Sequence, residues 1–402
     1  MVVIDPKVSR NDKKRKLKRI TLVLVVSGSL MLAGCAGKDG NNQITDATGN
    51  KTETSQAAAV PHSVLYNPSA NMANGGNVVT GEDGKVYYVS TKSMNLQNYD
   101  FELKASIFET SSKDIAKADE ICSANVRDYS RFSGLQLLDN KPLMLQVNQR
   151  DSISNICLVG ENPFSNAGIY ITIPEGSEAQ MNDLVISDYI VSKDCIYYAL
   201  SSYALQTDIA GIYKYDMTTH DTQQVVALNG ISQLLDVDGS IYAVTQDWQN
   251  TASSIYKVEA GNAKKIYTSD LSYIYYLIPC KSQLYFAEQK QREFSLKTCD
   301  MQGSKAKTIY EGRDFIEGLN TYGDKLYFEF SAGAMEDGVK TSLKSISLDD
   351  FQESDVLLEG LGDPGFGIGT VEGGLIVQGV DGPLFYDVEQ NTKTPMTGCK
   401  IN

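Results

Sequence analysis

The sequence predicts an all-β protein, a seven-bladed β-propeller behind an N-terminal export and tether segment, with six or eight blades as the alternatives. Three observations carry this. A turn of Gly, Asp, Ser or Lys followed by an apolar and aromatic triplet keeps returning: Val86-Tyr87-Tyr88, Leu143-Met144-Leu145, Ile196-Tyr197-Tyr198, Ile241-Tyr242-Ala243, Leu284-Tyr285-Phe286, Leu326-Tyr327-Phe328 and Leu375-Ile376-Val377. The middle residues of these triplets are spaced 57, 53, 45, 43, 42 and 49 residues apart, and repeats of about 40 to 50 residues holding four strands each mark propeller blades. Helical periodicity is scarce. Aromatic and β-branched residues instead alternate with polar ones at period two between polar turns, as half-buried antiparallel strands require.

The elements follow in chain order. Residues 13–19 read Lys-Lys-Arg-Lys-Leu-Lys-Arg, and an apolar run from Ile20 to Leu32 leads to Ala33, Gly34 and Cys35. A basic region, a short apolar region and small residues before a cleavage point make residues 1–34 a signal peptide. The run is shorter than the roughly 20 residues that span a bilayer, which argues against a retained transmembrane helix. Residues 35–75 are expected to be a flexible tether, since Gly, Asn, Asp, Thr, Ser and Ala with few large apolar side chains cannot offset the entropy of ordering. The propeller is assigned to 76–402. Within each copy the triplet lies on the second strand b. A third strand c is plainest at Gly211 to Asp216, Ser254 to Val258 and Leu384 to Val388, and a and d flank them.

Leu32-Ala33-Gly34-Cys35 resembles the lipobox of bacterial lipoproteins, which implies a diacylglyceryl group on Cys35, cleavage before it, and a place on the outer face of the cell membrane. A plain secretory peptide with an incidental Cys is the alternative. Ile212-Tyr213-Lys214 and Ile255-Tyr256-Lys257, with the recurring triplets, resemble propeller domains of exported Gram-positive lipoproteins, similar to the TolB and YWTD classes. That resemblance covers about 320 residues, implies fold and surface display, and carries no catalytic residue. The single Trp argues against WD-type repeats.

The 402 residues include 36 Lys and Arg against 50 Asp and Glu, a net charge of −14. Since the first 34 residues hold eight basic and two acidic side chains, the remainder carries −20. Nucleic acid is therefore not an expected partner, because its affinity comes from Lys and Arg displacing counterions. Two His, His62 in the tether and His220 in a polar turn, leave no Ser-His-Asp or Cys-His constellation. No phosphate-binding loop opens a helix. Of the seven Cys, six remain after Cys35, at irregular spacings, and mostly free thiols are expected. Asp236-Val237-Asp238-Gly239 reads as a hairpin turn rather than a calcium loop.

Two surface features are candidate ligand sites. An Asp or Asn precedes each triplet by 13 to 16 residues, giving Asn74, Asp128, Asp183, Asn229, Asp270, Asp314 and Asp363. On d-to-a turns they would ring the channel mouth, either as turn residues bonding their own backbone or as a site for calcium or a basic partner. The second is the b-to-c loop Gln246 to Asn250, where Trp248, with Tyr203 in the preceding copy, would stack against a sugar or peptide. Packing of Trp248 against neighbouring loops is the alternative. The functional expectation is a monomeric, lipid-anchored, non-enzymatic propeller binding a protein, peptide or glycan. A carbohydrate-active enzyme working through paired carboxylates is second. A transporter's substrate-binding lipoprotein, which needs alternating strands and helices, is third.

Overall fold

The computed structural model describes residues 68–398 apart from 96–100, 128–129, 149–152, 159–167, 170–183, 193, 203–208, 333–339 and 363–366. The signal peptide, Cys35 and most of the expected tether lie outside the described residues.

Among the described residues, one short helix, α1 (Pro68–Ala73), precedes seven four-stranded antiparallel sheets. Blade 1 is β1 (Val78–Thr80), β2 (Lys85–Asn95), β3 (Phe101–Ser111) and β4 (Ala118–Arg127); blade 2 is β5 (Ser130–Leu138), β6 (Lys141–Asn148), β7 (Ile153–Leu158) and β8 (Gly168–Ile169). Blade 3 is β9 (Leu184–Ser192), β10 (Cys195–Ser202), β11 (Gly211–Asp216) and β12 (Thr222–Ala227). Blade 4 is β13 (Ile231–Val237), β14 (Ser240–Asp247), β15 (Ala252–Glu259) and β16 (Asn262–Asp270). Blade 5 is β17 (Tyr273–Cys280), β18 (Gln283–Lys290), β19 (Glu293–Asp300) and β20 (Lys307–Arg313). Blade 6 is β21 (Phe315–Tyr322), β22 (Lys325–Ala332), β23 (Lys340–Ser347) and β24 (Leu358–Leu361). Blade 7 is β25 (Gly369–Val371), β26 (Gly374–Gly379), β27 (Gly382–Asp387) and β28 (Thr392–Pro395). The first strand of each blade touches that of the next, and β25 returns to β1, so the sheets close a ring. All seven triplets fall on strand b, as expected from the sequence.

Alternation explains why the triplets recur. In blade 5, Leu284 and Phe286 point toward blade 4 and join Leu235 and Tyr242, while Tyr285 points the other way to Leu326 and Phe328 of blade 6. Each triplet thus fills both neighbouring interfaces, and burying one such side chain contributes about 1.5 to 3 kcal/mol. The Asp236 to Ser240 segment is the hairpin turn between β13 and β14. Asp238 and Gly239 have φ of 51° and 80°, and the Gly239 N–H donates to Asp236 Oδ1 at 2.8 Å.

Strand a of each blade has a sheet partner on one side only, so its inner edge needs hydrogen-bond partners from elsewhere. Side chains of the preceding blade supply several. Gln136 of blade 2 donates to Tyr189 O (2.7 Å) and accepts from Val191 N–H (2.8 Å). Asp188 of blade 3 accepts from Leu234 N–H at 2.7 Å, and Gln233 of blade 4 binds both N–H and C=O of Leu277 at 2.9 and 2.7 Å. Asp188 and Gln233 each stand nine residues before their triplet centre; in blade 5 that position is Tyr276, which has no amide. There α1 and Asn74, the residue that follows it, take over. Asn74 accepts from Leu319 N–H (3.0 Å) and Ile368 N–H (3.3 Å) and donates to Leu319 O (2.6 Å). One turn earlier, Asn71 Oδ1 accepts from Thr370 N–H (2.7 Å) and its amide donates to Thr370 O (2.9 Å).

The expected tether boundary at residue 75 is therefore corrected: residues 68–76 belong to the propeller, with α1 plugging the channel against strands a of blades 4, 5 and 6. Small polar side chains look like linker in sequence, but here they are what fits a narrow channel lined by strand edges. Asn74 is corrected with it, since it is buried in the channel instead of facing ligand at a turn. The chain then reverses at Gly75 and Gly76, with φ of 83° and 61°. A Cβ on Gly76 would lie 2.5 Å from the Gly134 Cα, so only glycine fits this approach to blade 2.

Replacing Asn74 with Ala strands buried backbone groups of Leu319, and each such group costs about 1 to 3 kcal/mol. We expect Asn74→Ala to lower the urea midpoint clearly, while Asn250→Ala on an exposed turn stays within about 0.5 kcal/mol of wild type. Equal midpoints for the two variants would contradict the plug.

Candidate functional site

The b-to-c and d-to-a loops share one end of the ring, and a cavity of about 330 Å³ opens there over blades 3, 4 and 5. Its floor is the C-terminal end of α1, Met72 and Ala73. Its walls are Asp188 on β9, Gln233 on β13, and Ile274, Tyr275 and Tyr276 on β17, with Trp248 at the rim. Two consecutive tyrosines reach one cavity because β17 carries a bulge between Tyr275 and Ile278, with Tyr276 in the left-handed region at φ 55°. Their rings lie 6.1 Å apart at 41°. A bulky residue held at positive φ is a genuine outlier of the kind that clusters at binding sites.

Trp248 is 53 % exposed and leans on Tyr273, ring centroids 4.8 Å apart at 43°. Asp247 organises the turn that presents it: its Oδ2 accepts from the Asn250 side-chain amide at 2.8 Å and its Oδ1 from Asn250 and Gln249 N–H, both at 3.1 Å, and these bonds, the Asn250 amide first, hold the Asp247 carboxyl below its ordinary range. Most polar groups of the wall are engaged in joining blades. Asp188 also accepts from Tyr189 N–H at 2.8 Å, and Ser201 donates to Ile231 O at 2.9 Å.

The remaining sequence candidates are dispersed. Tyr203, Asp128, Asp183 and Asp363 lie outside the described residues. Asn229 is half-buried beside Gly230, and Asp314 is paired with Arg292 at 2.6 Å. Asp270, exposed at the end of β16, lines a different groove of about 600 Å³ with Glu293, Glu311 and Arg313. None of Asn74, Asn229, Asp270 and Asp314 lines the mouth cavity. Residues just before strand a sit on the turn, while the cavity is built from the strand that follows. Sequence reasoning missed Asp188, Tyr275 and Tyr276; the break in alternation at Tyr273-Ile274-Tyr275-Tyr276 was the available signal for the bulge.

Other reactive groups are held inert. Cys122, Cys195, Cys280 and Cys299 are free thiols, and burial pushes Cys122 up to about 11 and Cys299 up to about 12. His220 sits in its turn with Nδ1 2.7 Å from the Tyr215 hydroxyl. Among the described residues, no group of three or more His, Cys, Asp or Glu is placed to hold a metal ion. Near the mouth on blade 6, Glu329 is 3 % exposed and its Oε1 has no hydrogen-bond partner. Burial first, and then the charge of Glu317, raise its carboxyl well above the ordinary range. Glu317 accepts from the Ser331 hydroxyl at 2.6 Å.

No family model matches the sequence, and no curated protein does. Solved structures similar in fold include TolB from Acinetobacter baumannii, 10 % identical with a TM-score of 0.40 over 76 % of this chain and 78 % of that one. An uncharacterized protein from Listeria monocytogenes EGD-e is 13 % identical with a TM-score of 0.47, over 81 % and 94 %. A prolyl endopeptidase is 10 % identical with a TM-score of 0.46, over 74 % of this chain and 52 % of that one, so the chain spans about half the length of that enzyme. These are likenesses of fold.

A carboxyl whose folded pKa is raised stabilises the fold fully below its unfolded value and loses that contribution as pH rises through the folded value. Glu329→Gln removes the loss. We expect its stability to match wild type near pH 4 and to exceed it increasingly as pH rises through the raised folded value, read as urea midpoints up to pH 8. A constant difference would mean that Glu329 does not titrate in this way.

Proposed function

We infer that this chain is a non-enzymatic binding propeller, held on the outer face of the cell membrane through Cys35, that receives a protein, peptide or glycan segment at the channel mouth. The observation that carries the reading is the mouth cavity with an exposed tryptophan at its rim, tilted against Tyr273 and held in a turn that Asp247 organises. Large aromatic faces left in water beside a concave site are what binding hot spots use. Attachment follows from the order of basic run, apolar run and Leu32-Ala33-Gly34-Cys35. Two or more acyl chains hold a protein stably where one gives marginal binding. The alternative enzyme needs two carboxylates flanking one cleft. The Glu288 carboxylate accepts from the Tyr267 hydroxyl at 2.6 Å and meets Lys297 at 2.8 Å, and Asp314 meets Arg292. Such structural pairing favours the binding reading over the catalytic one.

Trp248→Ala tests the site. The melting temperature is expected to stay near wild type, because the ring is largely in solvent, while capture of cell-envelope glycans or surface peptides by the immobilised full chain falls. A stability loss of roughly 3 to 5 kcal/mol would instead make Trp248 a core residue. Mass spectrometry of the mature N-terminus tests the anchor: a diacylglyceryl mass on Cys35 is expected, and an unmodified Cys35 would remove it.

A further inference from the structure

The mouth cavity has a chemical bias. Three of its lining side chains, Trp248, Tyr275 and Tyr276, are aromatic, and a fourth ring, Tyr273, lies under Trp248. Aromatic faces carry negative electrostatic potential and attract cations positioned within about 6 Å. Among the described residues, Asp188 is the one charged side chain lining the cavity, and no Lys, Arg or His lines it. Asp188 is held by the N–H groups of Tyr189 and Leu234, so its charge is fixed in place before any ligand arrives. The chain's net charge of −14 adds attraction at longer range.

Neutral sugars fit less well. A sugar needs polar side chains whose hydrogen bonds are uncommitted, yet both ends of the Gln233 amide bind Leu277, and Gln246 and Ser201 donate to Ile274 O and Ile231 O. A ligand using these groups would have to loosen the joints between blades.

We propose that the mouth site takes an alkylammonium group, from a lysine side chain of a peptide or from a small quaternary amine, with the aromatic rings around it and Asp188 as its counter-charge. This rests on the mouth being a binding site and names the chemistry it selects. Trp248, 53 % exposed, is the most open of the cavity's rings, with Tyr275, Tyr276 and Asp188 lining the same cavity.

Trp248 is the only tryptophan in the chain, so protein fluorescence reports this site directly. The full chain is titrated with a short acetylated and amidated Gly-Lys-Gly peptide, the same peptide acetylated on its lysine, choline, and a neutral maltohexaose. We expect saturable changes with the lysine peptide or choline, about tenfold weaker for the acetylated peptide and weaker again when salt rises from about 50 to about 300 mM. Tighter binding of choline than of the lysine peptide assigns a small amine; the reverse assigns a peptide. Asp188→Asn, which keeps an acceptor for Leu234, and Tyr275→Leu, which removes a ring without touching a joint between blades, should each weaken binding. Tyr275→Leu keeps the test valid if Asp188→Asn fails to fold. Equal binding of the acetylated peptide, or binding of maltohexaose alone, overturns the cation and leaves the mouth as a binding site. Silence from all four probes also overturns the cation proposal; unimpaired envelope capture by Trp248→Ala would then remove the mouth reading as well.

Discussion

The inner edge of the innermost strands governs this molecule. Seven blades bring seven strands a to one channel, each offering N–H and C=O groups with no sheet neighbour on that side. Buried, such groups need hydrogen-bond partners, and side chains meet several of them. Gln136, Asp188 and Gln233 reach across to the next blade, and Asn71 of α1 and Asn74 just after it bond strands a from within the channel. The joints set the angle between blades, which apolar packing alone leaves adjustable because it is non-directional.

The candidate site is a by-product of the same constraint. Where blade 5 places Tyr276 instead of an amide, the wall becomes aromatic, and Asn74, just after the helix, must supply the missing bonds to Leu319. Stability and ligand recognition are thereby divided between α1 and β17. The polar side chains of blades 3 and 4 stitch, while the rings of blade 5 and of the β14 to β15 loop are left for contact with something else.

Much of the fold could be read from the chain. Triplets such as Leu284-Tyr285-Phe286 are legible because one short segment must satisfy two interfaces at once, which restricts composition and repeats at blade length. Trp248 was legible for a different reason: a lone large ring between Asp247 and Gln249 is out of place unless it is displayed. Asn74 was not legible. Side-chain amides in a Gly-Asn segment suit a linker as well as a channel, and the difference lies in Leu319, 245 residues away. Asp188 was equally hidden, because its partner Leu234 belongs to the next repeat. Asp314 and Asp270 shared a sequence position without sharing a place, since turn length and local ion pairs direct each carboxylate separately.

Blade composition bears on how such a ring comes into being. Among the described residues every blade is built from four consecutive strands, and no described strand from one end of the chain joins the sheet of the other. Closure between blades 7 and 1 depends on contacts such as the Tyr88 hydroxyl with Thr397 O, and on α1, which lies before blade 1 but bonds Thr370, 299 residues downstream of Asn71. A helix of six residues is too short to persist alone. The hydrogen-bond partners of Asn71 and Asn74, Thr370 and Leu319, belong to the last two blades, so the first described element completes its native surroundings only when those blades are present. A chain emerging from a ribosome therefore carries an open arc until its C-terminal blades follow, and the plug is then completed N-terminus onto C-terminus.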